Sequence, residues 1–217
     1  MSCTHIMIDL ETEGTRAGCA IRQIGAASFN PYTGEVGRKF EMNLNTEEQY
    51  RNLNMDTDPE TINWLKALPA NIQEAMTRNP QPVGEVIIAL IRAFDWDHPD
   101  MRLWCHGATF DEPILRELII RFGVETELKK LVPWKYTHVR DTRTILELAG
   151  VKVQRDPSKA HTGLEDCLNQ IKAVSEAYRV FERLAAREKP VSKGHSWPSY
   201  VSDSPELLTV LDEKAIR

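Results

Sequence analysis

Three strand-length runs follow one another within the first 44 residues, separated by loop and turn signals and by no helical stretch. Residues 5–9 form a short run with an apolar Ile-Met-Ile centre, residues 20–29 are rich in Ile, Ala and Phe, and residues 36–44 alternate in part. The connection 12–18 holds two glycines, and Asn30-Pro31-Tyr32-Thr33-Gly34 is a turn sequence. Runs this close together pair as a hairpin. The chain therefore opens on an antiparallel section of sheet.

Helical signals begin afterwards. Asp58 followed by Pro59 reads as an N-cap and first helical position, opening a helix over 58–66. A second short helix covers 70–78, and the stripe Val83, Val86, Ile87, Leu90, Ile91, Phe94 marks a third. A fourth strand is expected at 101–106, then a helix over 112–122 with Pro113 in its first turn and Gly123 as its C-cap. A fifth strand is expected at 136–139 and a long helix at 163–187, with an apolar stripe of Leu164, Leu168, Ile171, Val174, Tyr178, Phe181 and Leu184. A hairpin followed by helix-linked strands predicts an α/β fold, a mixed five-stranded sheet flanked by helices. Residues 1–187 read as one domain, and 188–217, rich in Pro, Ser and Gly, as an extended tail with a short helix at 205–211.

Composition bounds the partners. The 217 residues are 27% charged, with a formal net charge of −5. That field repels nucleic acid overall, so any contact with it has to be local and involve few phosphates. No apolar stretch reaches the ~20 residues that span a bilayer, and no basic-then-apolar leader is visible. Cys3, Cys19, Cys105 and Cys167 are scattered without a CxxC pair, as expected of reduced thiols. The expectation is a cytoplasmic protein without a membrane partner; homodimerisation is left open.

Asp9 and Glu11 close the first apolar run. A period of two puts them on one face of a strand. Two adjacent carboxylates repel and titrate upward unless a cation joins them, and hard divalent metals with oxygen ligands are the simplest cation to serve. On these two residues alone, a solvated strand end explains the pair equally well. The stretch LWCHGATFDEPIL repeats the design, a buried strand running into a turn and then Asp111. Taken alone, Asp111 reads as a helix N-cap. AHTGLEDCLNQI sets His161 five residues before Asp166, which alone reads as a first-turn acid favoured by the helix dipole.

Together, Asp9-Leu10-Glu11-Thr12, Phe110-Asp111 and His161-x-x-x-x-Asp166 resemble, in order and spacing, the three motifs of the DEDDh 3′–5′ exonucleases. IRQIGAASFNPYTGEV and RDTRTILEL are similar to the segments that accompany those motifs. PETINWLKALP resembles a Trp-containing helix of a narrower subgroup, that of the RNase AS-type exoribonucleases and the T-even phage exonuclease A. Two positions depart from the pattern: His106 stands where Asn is usual, and Gly163 where Ala is usual.

The resemblance implies an RNase H-like fold and two Mg²⁺ or Mn²⁺ ions per site, about 3.5–4 Å apart, stabilising the attacking and leaving oxygens of a phosphodiester. It implies Asp9 as the bridging ligand. Glu11 and Asp166 would complete the metal that carries the nucleophilic water, and Asp111 would hold the second. His161 would be the general base. The substrate would be the 3′ end of single-stranded RNA or DNA, RNA favoured, released as 5′-mononucleotides. Trp64 could stack on a base or fill the core, Phe110 could wedge the terminal base or open a helix from the core, and Thr12 could meet the 3′ end through backbone or hydroxyl. Asp141 reads as a helix cap and not as a fifth ligand. The rival readings are a single-stranded DNA exonuclease, a non-cleaving 3′-end binding module and a carboxylate metalloenzyme acting on small phosphoesters.

Overall fold

The computed structural model describes residues 2–126, 131–154 and 162–187. His161 and the expected tail 188–217 lie outside the described residues. One compact unit covers Met1–Glu182 and a second Arg183–Arg217; everything below concerns the first.

The opening meander forms as the sequence predicts. Strand β1 (His5–Thr12) pairs antiparallel with β2 (Ile21–Phe29), and β2 pairs antiparallel with β3 (Val36–Asn43). β1 is longer than expected: Glu11 is still in register with Gln23, so Asp9 and Glu11 sit inside the strand, with a register shift only at Glu11/Thr12. Four helices follow: α1 (Thr46–Leu53), α2 (Pro59–Ala67), α3 (Ala70–Thr77) and α4 (Val83–Ala93). Strand β4 (Arg102–Cys105) then adds parallel to β1, α5 (Asp111–Glu125) crosses back, and β5 (Val139–Asp141) adds parallel to β4. Helices α6 (Thr142–Ala149) and α7 (Gly163–Arg187) complete the described residues. The sheet order is β3-β2-β1-β4-β5.

Several boundaries differ from expectation. Gly123 does not cap α5; the helix runs through it, and Thr126 ends it by donating both its N–H and its hydroxyl to the Phe122 carbonyl. The fifth strand starts at Val139, because 136–138 is a 3-10 turn closed by the His138 N–H on the Lys135 carbonyl. Helix α1 was not expected, and of α6 only the cap at Asp141 was read. Each is eight residues long and buries two side chains, Gln49 and Leu53 in α1, Thr142 and Leu146 in α6. α6 packs Ile145, Leu146 and Ala149 toward α7, and caps close both helices: Asn45 accepts the Glu48 N–H, Asp141 accepts the Thr144 N–H, and Gly150 ends α6 in the left-handed region at φ 67°.

β1 divides the core. Its even residues Ile6, Ile8 and Leu10 pack among Val86, Ile87 and Leu90 of α4 and Ile114, Leu115 and Leu118 of α5. Met7, on the odd side, packs with Ala27, Phe29 and Trp104 against Cys167, Ile171 and Val174 of α7. Burying an aliphatic side chain stabilises by about 1.5–3 kcal/mol, so this alternation fixes the register firmly: a slip of one residue would invert both faces. Asp9 and Glu11 continue the odd side. They are therefore delivered toward α7, at the strand where the antiparallel meander meets the parallel half of the sheet.

Candidate active site

β4 stops at Cys105, opposite Ile8. Further along β1, the Leu10 N–H finds Asp111, whose Oδ1 accepts it at 3.2 Å. Asp111 is the first residue of α5 and is 3% exposed. The helix-cap reading thus misses its main contact, since the cap position belongs to Phe110 and makes no side-chain bond. Asp166 comes from the first turn of α7 and is also buried. Ligand oxygens of Asp9, Glu11 and Asp166 all lie within 4.8 Å of one another.

These acids burden each other. Burial holds the Asp9 carboxyl well above the usual carboxylate range, and Asp111, Glu11 and Asp166 push it the same way. Burial likewise brings Asp111 up to about 7, against the pull of the Leu10 N–H. A cluster of hard oxygen donors that resist ionising together fits a divalent cation well and fits a lysine poorly. Two buried thiols stand behind it. Cys105 and Cys167 are raised well above their ordinary value, first by burial and then by Asp111 and Asp9 respectively.

The register of α7 is set by backbone contact. A Cβ on Gly25 would lie 2.0 Å from the Gly163 carbonyl carbon, and one on Gly163 would lie 2.7 Å from the Gly25 nitrogen and 3.0 Å from the Asp9 oxygen. That approach gives a physical reason for glycine at 163, where the family pattern has alanine. Two further bonds clamp the helix start: the Gly163 N–H donates to Gln23 Oε1 at 2.9 Å, and the Leu164 N–H to Glu41 Oε1 at 3.1 Å. One turn beyond Asp166, Gln170 Nε2 donates to Asp9 Oδ1 at 2.7 Å.

On the β4 side, Gly107 adopts φ +110° and turns the chain toward Phe110. Asp141 is the cap that the sequence suggests, and its second oxygen also takes the Ala108 N–H at 2.6 Å. His106 Nδ1 lies 2.7 Å from the Thr142 hydroxyl, so the position that departs from the family pattern is tied to the start of α6.

Trp64, Phe110 and Thr12 meet around one groove of about 500 Å³ that Leu10 and Glu11 also line. Trp64 is 52% exposed, which excludes the core reading. Phe110 is partly buried against the core and also borders the groove. Thr12 gives its hydroxyl proton to the Gly14 carbonyl at 2.7 Å, leaving only lone pairs or backbone for a ligand. Helix α2 is moored to the end of β1: the Asp58 N–H donates to the Glu13 carbonyl, and the Asp58 side chain accepts the Glu60 N–H and the Thr61 hydroxyl. Glu13 is itself pinned by Arg22 and the Tyr50 hydroxyl. Sequence reading passed over Glu13, Gln23 and Gln170, because isolated polar residues carry no periodic signal.

The 3′-5′ exoribonuclease Rv2179c-like domain description matches residues 4–178. An exodeoxyribonuclease of Enterobacteria phage T4 is 27% identical over 208 residues, covering 80% of this chain and 88% of the phage protein. Among solved structures, Escherichia coli exonuclease I in complex with a dT13 oligonucleotide superposes with a TM-score of 0.59 at 12% identity, over 85% of this chain; the match spans 43% of that longer protein. The nuclease domain of 3′hExo, a DEDDh family member bound to rAMP, superposes with a TM-score of 0.51 at 15% identity, over 81% of this chain and 91% of that domain. The mixed five-stranded sheet is the RNase H-like fold these nucleases share.

Proposed function

The chain belongs to the Rv2179c-like 3′–5′ exoribonuclease domain family, and from that premise we propose that it is a metal-dependent exonuclease that removes 5′-mononucleotides one at a time from the 3′ end of single-stranded RNA. The observation that carries this reading is the convergence of Asp9, Glu11 and Asp166 from two distant segments, with the buried Asp111 beside them and an aromatic groove opening at Glu11.

In this reading Asp9, Glu11 and Asp166, with Asp111 beside them, would hold Mg²⁺ or Mn²⁺, two ions per site. When bound, such ions supply Lewis-acid stabilisation of the attacking and leaving oxygens. The rest of the work falls to the chain itself. His161 precedes the helix that carries Asp166, and its imidazole takes the proton of the attacking water. Glu11 lies at the mouth of the groove, where the terminal 3′ hydroxyl would sit. Trp64 offers a half-exposed ring on which an unpaired base stacks at about 1–3 kcal/mol, while Phe110 borders the same space. The groove admits an unpaired end in preference to a duplex. We place the reaction in the cytosol, where the four free thiols stay reduced.

A DNA substrate is the second reading, favoured by the description of the phage T4 relative as an exodeoxyribonuclease. Paired digestion of 5′-labelled RNA and DNA oligomers of one sequence, with Mg²⁺ or Mn²⁺, separates the two. Faster single-nucleotide shortening of the RNA is expected, stopped by a 3′ phosphate and unaffected by a 5′ block. Preferential DNA cleavage would replace the RNA reading. Equal cutting of circular strands would remove the 3′-end assignment altogether.

A further inference from the structure

Gln170 is a polar side chain, 1% exposed, on the face of α7 that otherwise buries Cys167, Ile171 and Val174 against the sheet. Its Nε2 donates to Asp9 Oδ1 at 2.7 Å. Its Oε1 is buried and, among the described residues, has no partner. The orientation is the one charge demands: the reversed amide would set a carbonyl oxygen against a carboxylate. An orphaned buried carbonyl destabilises a fold, and an apolar side chain of the same size would fill the space without one. Glutamine at 170 is therefore poor filler, and its single bond is the reason to keep it.

We propose that Gln170 is a positioning residue for metal binding: it fixes the Asp9 carboxylate through Oδ1 and leaves Oδ2 for a cation. The inference rests on reading the acid cluster as a metal centre. A neutral amide suits the task. An arginine or lysine at 170 would also hold Asp9, yet its charge would compete with the cation; the amide orients the ligand and leaves its charge in place. Because Asp166 lies one turn earlier on α7, a single helix delivers one ligand and orients another. The backbone contact of Gly163 with Gly25 sets the register of both.

The experiment compares wild type, Gln170→Met and Gln49→Met by Mn²⁺ titration calorimetry, by melting in chelator, and by the Mg²⁺ concentration for half-maximal rate. Gln49 is the control, a buried glutamine whose amide is satisfied at both ends by the backbone of Ile21. Gln170→Met is expected to melt in chelator at or above wild type, to bind Mn²⁺ roughly 10- to 100-fold more weakly, and to need correspondingly more Mg²⁺. Gln49→Met is expected to melt lower with Mn²⁺ affinity unchanged. Gln170→Leu, with a different apolar shape, repeats the titration should the methionine variant not fold. If the apolar variants at 170 lower the melting temperature and leave Mn²⁺ affinity within twofold, Gln170 is a structural residue and the proposal is overturned. If wild type binds no Mn²⁺, the metal-centre reading itself fails, and the proposal with it.

Discussion

Removing divalent metal should make this protein less stable as the pH rises, and Asp111 supplies a part of the effect that can be sized, beside Asp9. Its carboxyl moves from an ordinary 3.8 to about 7 in the folded state. In that window the folded protein holds a proton that the unfolded chain has released. Stability is thus greatest below pH 4 and is lost as the pH rises through 7. At 1.36 kcal/mol per decade, the loss approaches about 4 kcal/mol. For a chain of 217 residues, roughly 2–4 °C of melting temperature per kcal/mol makes that about 8–16 °C. His5 works in the opposite sense. Burial, with Arg102 next, brings it down to about 4, so its contribution grows as the pH rises from about 4 to 6.5. Asp9 works in the same sense as Asp111 and is pushed up partly by it, so a difference between wild type and an Asp111 variant removes His5 and carries the coupled acid pair. Asp111→Asn keeps an Oδ1 to accept the Leu10 N–H and cannot ionise, while His5 contributes equally to both proteins. Scanning calorimetry in chelator should show the two melting together near pH 4, with the variant ahead by about 8–16 °C above pH 7. Saturating Mg²⁺ should narrow that lead, since a cation at a hundred times its Kd returns about 2.7 kcal/mol to the wild type. A difference that stays flat from pH 4 to 8 in chelator would refute the buried-carboxylate reasoning.

Asp9→Asn should lose both Mn²⁺ binding and turnover, whereas His161→Ala should keep metal and oligomer binding and lose turnover by ~10²–10⁴; single-turnover kinetics beside calorimetry distinguish the two, and near wild-type turnover in the histidine variant would remove it from the reaction. Trp64→Ala should raise KM on single-stranded oligomers roughly 5- to 150-fold, the equivalent of one stacked base, with the melting temperature unchanged because the ring is half exposed. Gly25→Ala forces a Cβ to within 2.0 Å of the Gly163 backbone; denaturant unfolding should show a loss of roughly 1–3 kcal/mol or more, and Mn²⁺ affinity should fall as Asp166 shifts.

The acids were legible in the sequence because each closes or opens an element, and position along a strand or in a first turn predicts direction. Asp9 and Glu11 share a face through simple alternation, and Asp166 follows from the start of α7. What stayed hidden depends on contacts between segments. The apolar stripe read along α7 included Ile171 and Val174, which do meet the sheet, and also Leu164 and Leu168, which are only partly buried; it left out Cys167, which joins the first two, and Ala173 and Ala177, which meet Leu146 of α6. A large side chain advertises burial; an alanine, a cysteine or a glutamine does not, although close packing favours the smaller ones. Asp111 was read as an acid of the site, but its bond to the Leu10 N–H was not. Helix-start acids are common caps, and nothing local shows that β4 ends early enough to leave the Leu10 amide for it. Gly25 and Gly163 are uninformative singly and meaningful only as a touching pair.

That touching pair also dictates when activity can arise during synthesis. The three-strand meander is local and can pair while the ribosome still makes the rest. Gln23 meets Gly163 across 140 residues of chain, and Asp9 meets Gln170 across 161. A nascent chain thus carries Asp9 and Glu11 on a formed strand long before Asp166 exists to join them. On the proposed reading the site stays incomplete until α7 has emerged, because α7, the last helix among the described residues, brings Asp166 to the acid cluster.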